Sequence, residues 1–389
     1  MKKRLICYMI AILSIFIIQS SFQSSLAYAV NSQEGESLNI TSKSALLLDY
    51  DTGTILYEKN ANERLPIASM TKLASLAIVF DSLDKGIIKE NDNVVVSENA
   101  AAVGGSSAFL DAGASYKVAD LIKTVIIASA NDSTVALAEF VAGSEESFVV
   151  RMNKLAEKLN LKDTNFINST GLPAENHYSS AYDIAKIYKL ICNNELYKKD
   201  AKIWMEDFIH PSGRKTGLVN TNRLVKTFDG IEGGKTGYTD KARFCLTASA
   251  KRENLRVVGV IIGANDSKTR FAEMSKLLSF GFANYSSKYI VNSEAPISIH
   301  KFKSAKNQVN IYAKNDIVKL VKKSDDEKFT TDYQIEENLK APIKAGTVVG
   351  KMFVFDKNNM VVDEVELVVK ETAESVGVIE SLRKVINNW

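Results

Sequence analysis

The 389-residue chain has only three cysteines and three histidines. Cysteine this sparse does not make a disulfide framework. Cys7 falls in the N-terminal leader described below. Cys192 and Cys245 stand far apart and read as buried thiols, with a bridge between them left open. Neither a G-x-S-x-G nor an H-E-x-x-H run occurs, so an α/β-hydrolase elbow and a zinc-protease helix have no support. Gly234-Lys235-Thr236 suggests a phosphate loop, but Asp229 stands where that loop needs its first glycine. Strand patterns rather than a helix follow it, so nucleotide binding is rejected. Beyond the N-terminus no apolar run is long enough to span a bilayer. The formal net charge is +3, and Lys2, Lys3 and Arg4 are the only charges before Ala29. Without them the chain is neutral overall, and no basic field argues for nucleic acid. His300 is isolated and reads as structural.

What is present is an ordinary globular balance, 46% hydrophobic and 24% charged, enough for two domains with real cores. Lys2, Lys3 and Arg4 precede an apolar run from Leu5 to Ile18, and Leu26-Ala27-Tyr28-Ala29 supplies small residues at A-x-A positions. Residues 1–29 therefore read as a secretory signal peptide cut after Ala29; a retained anchor fits the A-x-A positions less well. Residues 30–42 form a polar lead. Ser44–Tyr50 and Thr54–Glu58 read as strands around the turn Asp51-Thr52-Gly53. Val118–Ile127 and Thr134–Val141 read as buried helices, interrupted by Ala128-Ser129-Ala130-Asn131-Asp132-Ser133. Met152–Leu159 and Asp183–Cys192 follow as helices, the second with Ser180 as its cap. After a less ordered stretch, Phe244–Ser249 and Val257–Ile262 read as strands and Phe271–Phe282 as a helix. Strands on both sides of a helical block predict an α/β (α+β) arrangement with an antiparallel sheet over residues 30–290.

Near Val291 the composition shifts. Short alternating strands such as Val309–Tyr312, Val318–Val321, Lys351–Phe355 and Val361–Val368 predict a small all-β domain over 291–370. Residues 371–389 end the chain with Val378, Ile379, Leu382, Val385, Ile386 and Trp389 on one stripe. That pattern predicts an amphipathic helix suited to a membrane interface, with docking on its own domain as the competing reading.

The chemistry centres on Ser69-Met70-Thr71-Lys72. Residues three apart on a helix share a face, so a lysine amine can take the proton of a serine hydroxyl. A helix N-terminus also favours negative charge on that oxygen. The motif alone is weak, since a polar helix cap can carry it by chance. Ser129-x-Asn131 and Lys235-Thr236-Gly237 follow in the order of the set found in β-lactamases and penicillin-binding proteins.

With these motifs the chain resembles the D-alanyl-D-alanine carboxypeptidases of the low-molecular-mass penicillin-binding proteins, a serine-type peptidase family. The resemblance runs from Ser44 to Trp389. It includes Phe166-x-Asn168-x-x-Gly171-Leu172, His177-Tyr178-Ser179-Ser180-Ala181, the β-rich domain and the terminal helix. It implies a β-lactamase-like transpeptidase fold and removal of terminal D-alanine from peptidoglycan stem peptides. Ser69 would be the nucleophile and form an acyl-enzyme. Lys72 would be its base, with a pKa lowered by burial and by Lys235. Ser129 would relay a proton to the leaving amine, and Asn131 would hold Lys72 and the substrate amide. Lys235, Thr236 and Gly237 would lie on an edge strand that takes the substrate backbone as an added strand.

The backbone N–H groups of Ser69 and Tyr238 would form the oxyanion hole. Arg270 would meet the terminal carboxylate with its planar fork; a helix-surface charge is the bland alternative. The resemblance implies β-lactam antibiotics as covalent ligands and no metal or organic cofactor. It places the protein on the cell-wall side of the cytoplasmic membrane, secreted and peripherally attached. Tyr238 stands where some members have histidine, and Ala130 where many have glycine, which implies altered deacylation or pH dependence rather than lost activity. His177 and Asn168 read as structural. A β-lactamase and a non-catalytic penicillin-binding sensor are the competing functions. No deacylating glutamate is identifiable for the first, and the intact motif residues argue against the second.

Overall fold

The structure, a computed structural model, describes residues 38–377. The leader and the stripe from Val378 to Trp389 lie outside the described residues. Among the described residues no helix is long and apolar enough to cross a membrane.

The N-terminal part is a sheet covered on both faces. Its strands are β1 (Ser44–Asp49), β2 (Ile55–Lys59), β3 (Ile231–Thr239), β4 (Arg243–Arg252) and β5 (Leu255–Ala264). They run antiparallel in the order β2-β1-β5-β4-β3, which leaves β3 on an edge. Side chains alternate between the faces of a strand, so β1 and β5 must be apolar on both. Leu46, Leu48, Val258 and Val260 face a helical block. Ala45, Leu47, Val257 and Ile261 pack with Met274, Leu277, Leu278 and Phe282 of the helix Ser267–Asn284.

The helical block includes α1 (Lys72–Asp84), α2 (Val118–Ile127), α3 (Asn131–Ala142), α4 (Glu145–Lys158) and α5 (Ala181–Ile191); the helix on the other face is α6 (Ser267–Asn284). Spacing suggests one apolar side for α1, but it is buried on nearly every side from Lys72 to Phe80. A central helix has no face left for solvent. The Ser180 hydroxyl caps α5 by accepting from the Asp183 N–H, as the sequence predicts.

Two local expectations change. Ser69 is not on the α-helix; it lies in a 3₁₀ turn, Ala68–Thr71, just before α1. In a 3₁₀ turn residues i and i+3 eclipse, so Ser69 and Lys72 still meet. Helix α3 starts at Asn131 rather than Thr134. The polar run Asn131-Asp132-Ser133 breaks the apolar pattern, yet all three residues are buried. The Asp132 carboxylate accepts from the N–H groups of Ala108, Leu110 and Ser133 and from the Ser107 hydroxyl. Buried polarity of this kind reads as a loop in sequence and is a hydrogen-bonded junction in the fold.

The stretch before β3 is more ordered than its pattern suggests. It holds a helix, Glu195–Ala201, and a hairpin of Met205–Ile209 with Lys215–Val219. Met205, Ile209 and Val219 are exposed while Phe208 and Leu218 are buried, which blurs the alternation. The β-rich part has a five-stranded antiparallel sheet in the order 296–300, 309–313, 361–369, 348–355, 330–335. Val309, Ile311, Val349, Val354, Leu367 and Val369 fill its core. Tyr285–Val291 pairs with Ile317–Lys322, so strand pairing with the β-rich part begins before residue 291. Residues 371–377 are not helical: Ala373 and Ser375 bridge to Ile343 and Ala305 and belong with the sheet. His300 packs edge-on against Phe302. Cys192 and Cys245 are both buried and free.

Candidate active site

A cleft of about 410 Å³ lies where the 3₁₀ turn, the start of α3 and the edge strand β3 converge. Its lining includes Ser69, Ser129, Asn131, Thr236, Gly237, Tyr238 and Arg270. A larger cleft, about 1340 Å³, lies along the β-rich domain and the turn at Asp51. It contains none of them.

The nucleophile turn is packed tightly against β3. A Cβ at Gly237 would sit 2.7 Å from the Ile67 carbonyl oxygen and 3.2 Å from the Ser69 nitrogen. Only glycine admits that approach. The Lys72 amine nitrogen stands 3.0 Å from Ser69 Oγ and donates to the Thr170 carbonyl at 2.7 Å. Lys72 is fully buried. Burial and then the nearby Lys235 push its pKa well down, opposed by Asp132. The expected contact between Asn131 and Lys72 is not among the hydrogen bonds of the described residues; the Thr170 carbonyl takes that place. Asn131 instead donates to the Gly104 carbonyl at 2.6 Å. Its Oδ1 is buried with no partner among the described residues.

Lys235 lies on β3, as its motif predicts, and donates to Ser129 Oγ at 2.6 Å and to the Thr236 carbonyl at 3.1 Å. Burial and then Arg270 lower its pKa to about 7. Ser129 is held at φ 63, a left-handed conformation that turns the chain from α2 into α3.

Arg270, on α6, reaches the cleft beneath β3. It donates to the carbonyls of Gly237 (3.3 Å) and Cys245 (3.2 Å), and its Nε has no partner among the described residues. Burial lowers its pKa to about 10, so it remains a cation at neutral pH. The bland reading of a surface charge is wrong: Arg270 is buried. Tyr238 is half exposed; its hydroxyl donates to Asp240 and its ring lies 4.4 Å from that of Phe244. All nine residues singled out from sequence thus gather around this cleft, Lys72 and Lys235 directly behind its wall.

Sequence reasoning missed Thr170, whose backbone carbonyl orients Lys72, and Thr221, Ser106 and Leu172, which line the cleft. A backbone carbonyl leaves no mark in residue identity. Asn168 does what a loop residue was expected to do: its Oδ1 accepts from the N–H groups of Thr170 and Gly171.

A serine beside a buried lysine and a second Ser–Lys pair across a cleft, on this sheet and helical block, make up the framework of the active-site-serine, penicillin-interacting enzymes. The chain belongs to the D-alanyl-D-alanine carboxypeptidase family, whose profile matches residues 29–266. Residues 285–375 match the C-terminal domain of penicillin-binding protein 5. The chain is 41% identical over 349 residues to the D-alanyl-D-alanine carboxypeptidase DacF of Bacillus subtilis (strain 168), covering 89% of this chain and 90% of that protein. It is 34% identical over 354 residues to DacC of Escherichia coli (strain K12), covering 89% and 87%. The crystal structure of penicillin binding protein 5 from Haemophilus influenzae superposes with a TM-score of 0.69 at 33% identity, covering 86% of this chain and 98% of that one.

Proposed function

We propose that this chain is a serine D-alanyl-D-alanine carboxypeptidase that releases the terminal D-alanine of peptidoglycan stem peptides. The observation that carries the reading is the Ser69–Lys72 pair: a hydroxyl 3.0 Å from a buried amine whose protonated form is disfavoured. The neutral amine takes the Ser69 proton as Oγ attacks the carbonyl carbon of the penultimate D-alanine. Negative charge gathers on the carbonyl oxygen, which the N–H groups of Ser69 and Tyr238 receive. Such a preorganised donor is worth about 2.7–4 kcal/mol. The C–N bond then breaks. Ser129, hydrogen-bonded to Lys235, passes a proton to the departing amine, and an ester remains on Ser69. Water hydrolyses the ester and restores the serine.

The orphaned Oδ1 of Asn131 suits a substrate N–H. Gly237 lets the peptide backbone lie along β3. The terminal carboxylate meets the Thr236 hydroxyl and the Arg270 cation. A β-lactam enters the same path and leaves a stable acyl group. The leader and the apolar stripe from Val378 to Trp389 support a secreted protein held peripherally on the cell-wall side of the cytoplasmic membrane.

D-alanine release from diacetyl-Lys-D-Ala-D-Ala, with residues 30–389 and the Ser69→Ala variant, tests this. Release by the wild type alone is expected. No release with covalent penicillin retention would indicate a sensor; no release with rapid penicillin hydrolysis would indicate a β-lactamase.

A further inference from the structure

The residue before the nucleophile is held in an unfavourable conformation. Ala68 has φ 48, a left-handed angle that an alanine adopts at a cost of about 1–2 kcal/mol. Such a residue persists only where its surroundings over-determine it. Here they do. The Thr71 hydroxyl lies 2.8 Å from the Ala68 carbonyl oxygen and 2.8 Å from His177 Nε2. On the other side of the ring, the Ile167 N–H donates to His177 Nδ1 at 3.1 Å.

These contacts leave one arrangement of protons. A backbone N–H only donates, so Nδ1 carries the lone pair and the hydrogen is on Nε2. Nε2–H then donates to Thr71 Oγ1. The Thr71 hydrogen goes to the Ala68 carbonyl, which only accepts. The relay runs in one direction, from Ile167 through His177 and Thr71 to Ala68. Thr71 is fully buried and His177 nearly so, and the Phe166 ring packs edge-on against the imidazole. Burial lowers the His177 pKa to about 4, which keeps the ring neutral and the relay intact.

A second observation points to the same contact. Gly171 has φ +85, and a Cβ there would sit 1.9 Å from the Ala68 carbonyl oxygen. The loop thus presses on Ala68 with bare backbone while His177, at its far end, grips it through Thr71. Thr170 of this loop also receives the Lys72 amine. One segment, 166–177, therefore frames both the nucleophile turn and its base.

We infer that His177 is a positioning residue for the nucleophile: its Nε2–H, acting through the Thr71 hydroxyl, holds the Ala68 carbonyl and so fixes the turn that presents Ser69. His177 is not in the cleft lining and has no hydrogen bond to Ser69 or Lys72, so it does not take part in the chemistry itself. This rests on the proposed acylation of Ser69. It assigns a role to a histidine whose pattern in sequence reads as merely structural.

The test is the rate constant for acylation by a labelled penicillin, with thermal stability measured alongside. His177→Gln can still offer a donor near the Nε2 position but loses the acceptor for Ile167. His177→Asn keeps an acceptor near Nδ1 and loses the donor to Thr71. The two remove one hydrogen bond each, so a purely structural histidine predicts equal losses. The relay predicts a fall of about 10- to 100-fold in the Asn variant and recovery to within a few-fold of wild type in the Gln variant, at similar melting temperatures. Thr71→Val should fall likewise, and Thr71→Ser, which keeps the hydroxyl, should recover. Equal rates in the Gln and Asn variants, or rates that simply follow melting temperature, would overturn the inference. Should the histidine variants fail to fold, the Thr71 pair decides alone: equal acylation by Val and Ser at that position overturns it. Wild type and Ser69→Ala in the same assay keep the two claims apart. A wild type that is never acylated sinks the functional reading, whereas a fully acylated His177→Asn sinks only this one.

Discussion

Lys235 Nζ lies 2.6 Å from Ser129 Oγ, and both groups are buried at the junction of α3 and the edge strand. The pair mirrors Ser69 and Lys72 across the cleft, a hydroxyl facing an amine whose charge is disfavoured. Removing the hydroxyl should break the proton path to the leaving amine and leave the fold intact. We expect Ser129→Ala to lower kcat for D-alanine release by about 10²–10³. Steady-state kinetics and a melting curve check this; unchanged kcat would remove Ser129 from the mechanism.

The pH dependence of acylation should report Lys72. The amine works as a base only when neutral, so the rate rises with pH through its folded-state pKa, which lies well below 10.5. Lys235 is the largest charged cause of that depression. Lys235→Gln removes the cation and should move the rising limb to higher pH, beyond any loss in absolute rate. A limb that stays in place would show that burial alone sets the Lys72 pKa.

The same depression has a price in stability. A lysine with a lowered folded pKa binds fewer protons folded than unfolded at neutral pH, so this contribution to stability rises with pH up to about 10.4, the unfolded value. Lys72→Met keeps an unbranched side chain as far as the Cε position and removes the buried amine. It should abolish acylation while stabilising the fold at pH 7 by about 1–3 kcal/mol, the usual direction for replacing buried ionic groups with apolar ones. Denaturant unfolding measures it, and a destabilised variant would contradict it.

Gly171→Ala should be severe for its size. The added methyl carbon would meet the Ala68 carbonyl at 1.9 Å, on a backbone at φ +85. We expect a loss of about 2–4 kcal/mol together with slowed acylation, because the loop must retreat from the nucleophile turn. Gly143→Ala, at the αL C-cap of α3 with open space around it, should lose stability only. Equal acylation rates in the two variants would contradict the coupling.

Much of this was legible before the fold. The buried strands β1 and β5 announce themselves as unbroken apolar runs, and the three motifs identify the cleft in order. What sequence could not reveal is carried by backbone and by buried polarity. The 3₁₀ turn under Ser69 leaves the spacing of an α-helix unchanged. Thr170 acts through a carbonyl that every residue has. Asp132 looks like part of a polar loop and is a buried clamp on residues 107–110. His177 looks structural because its partner, Thr71, is over a hundred positions away in the chain.

The central claim is that Ser69 carries the acyl group. The most direct measurement is peptide mapping by mass spectrometry of residues 30–389 after brief exposure to benzylpenicillin, with D-alanine release assayed on the same preparation. The account predicts one adduct per chain, on the peptide containing Ser69, and neither adduct nor release in Ser69→Ala. An adduct on another residue, or D-alanine release that survives in Ser69→Ala, would contradict it.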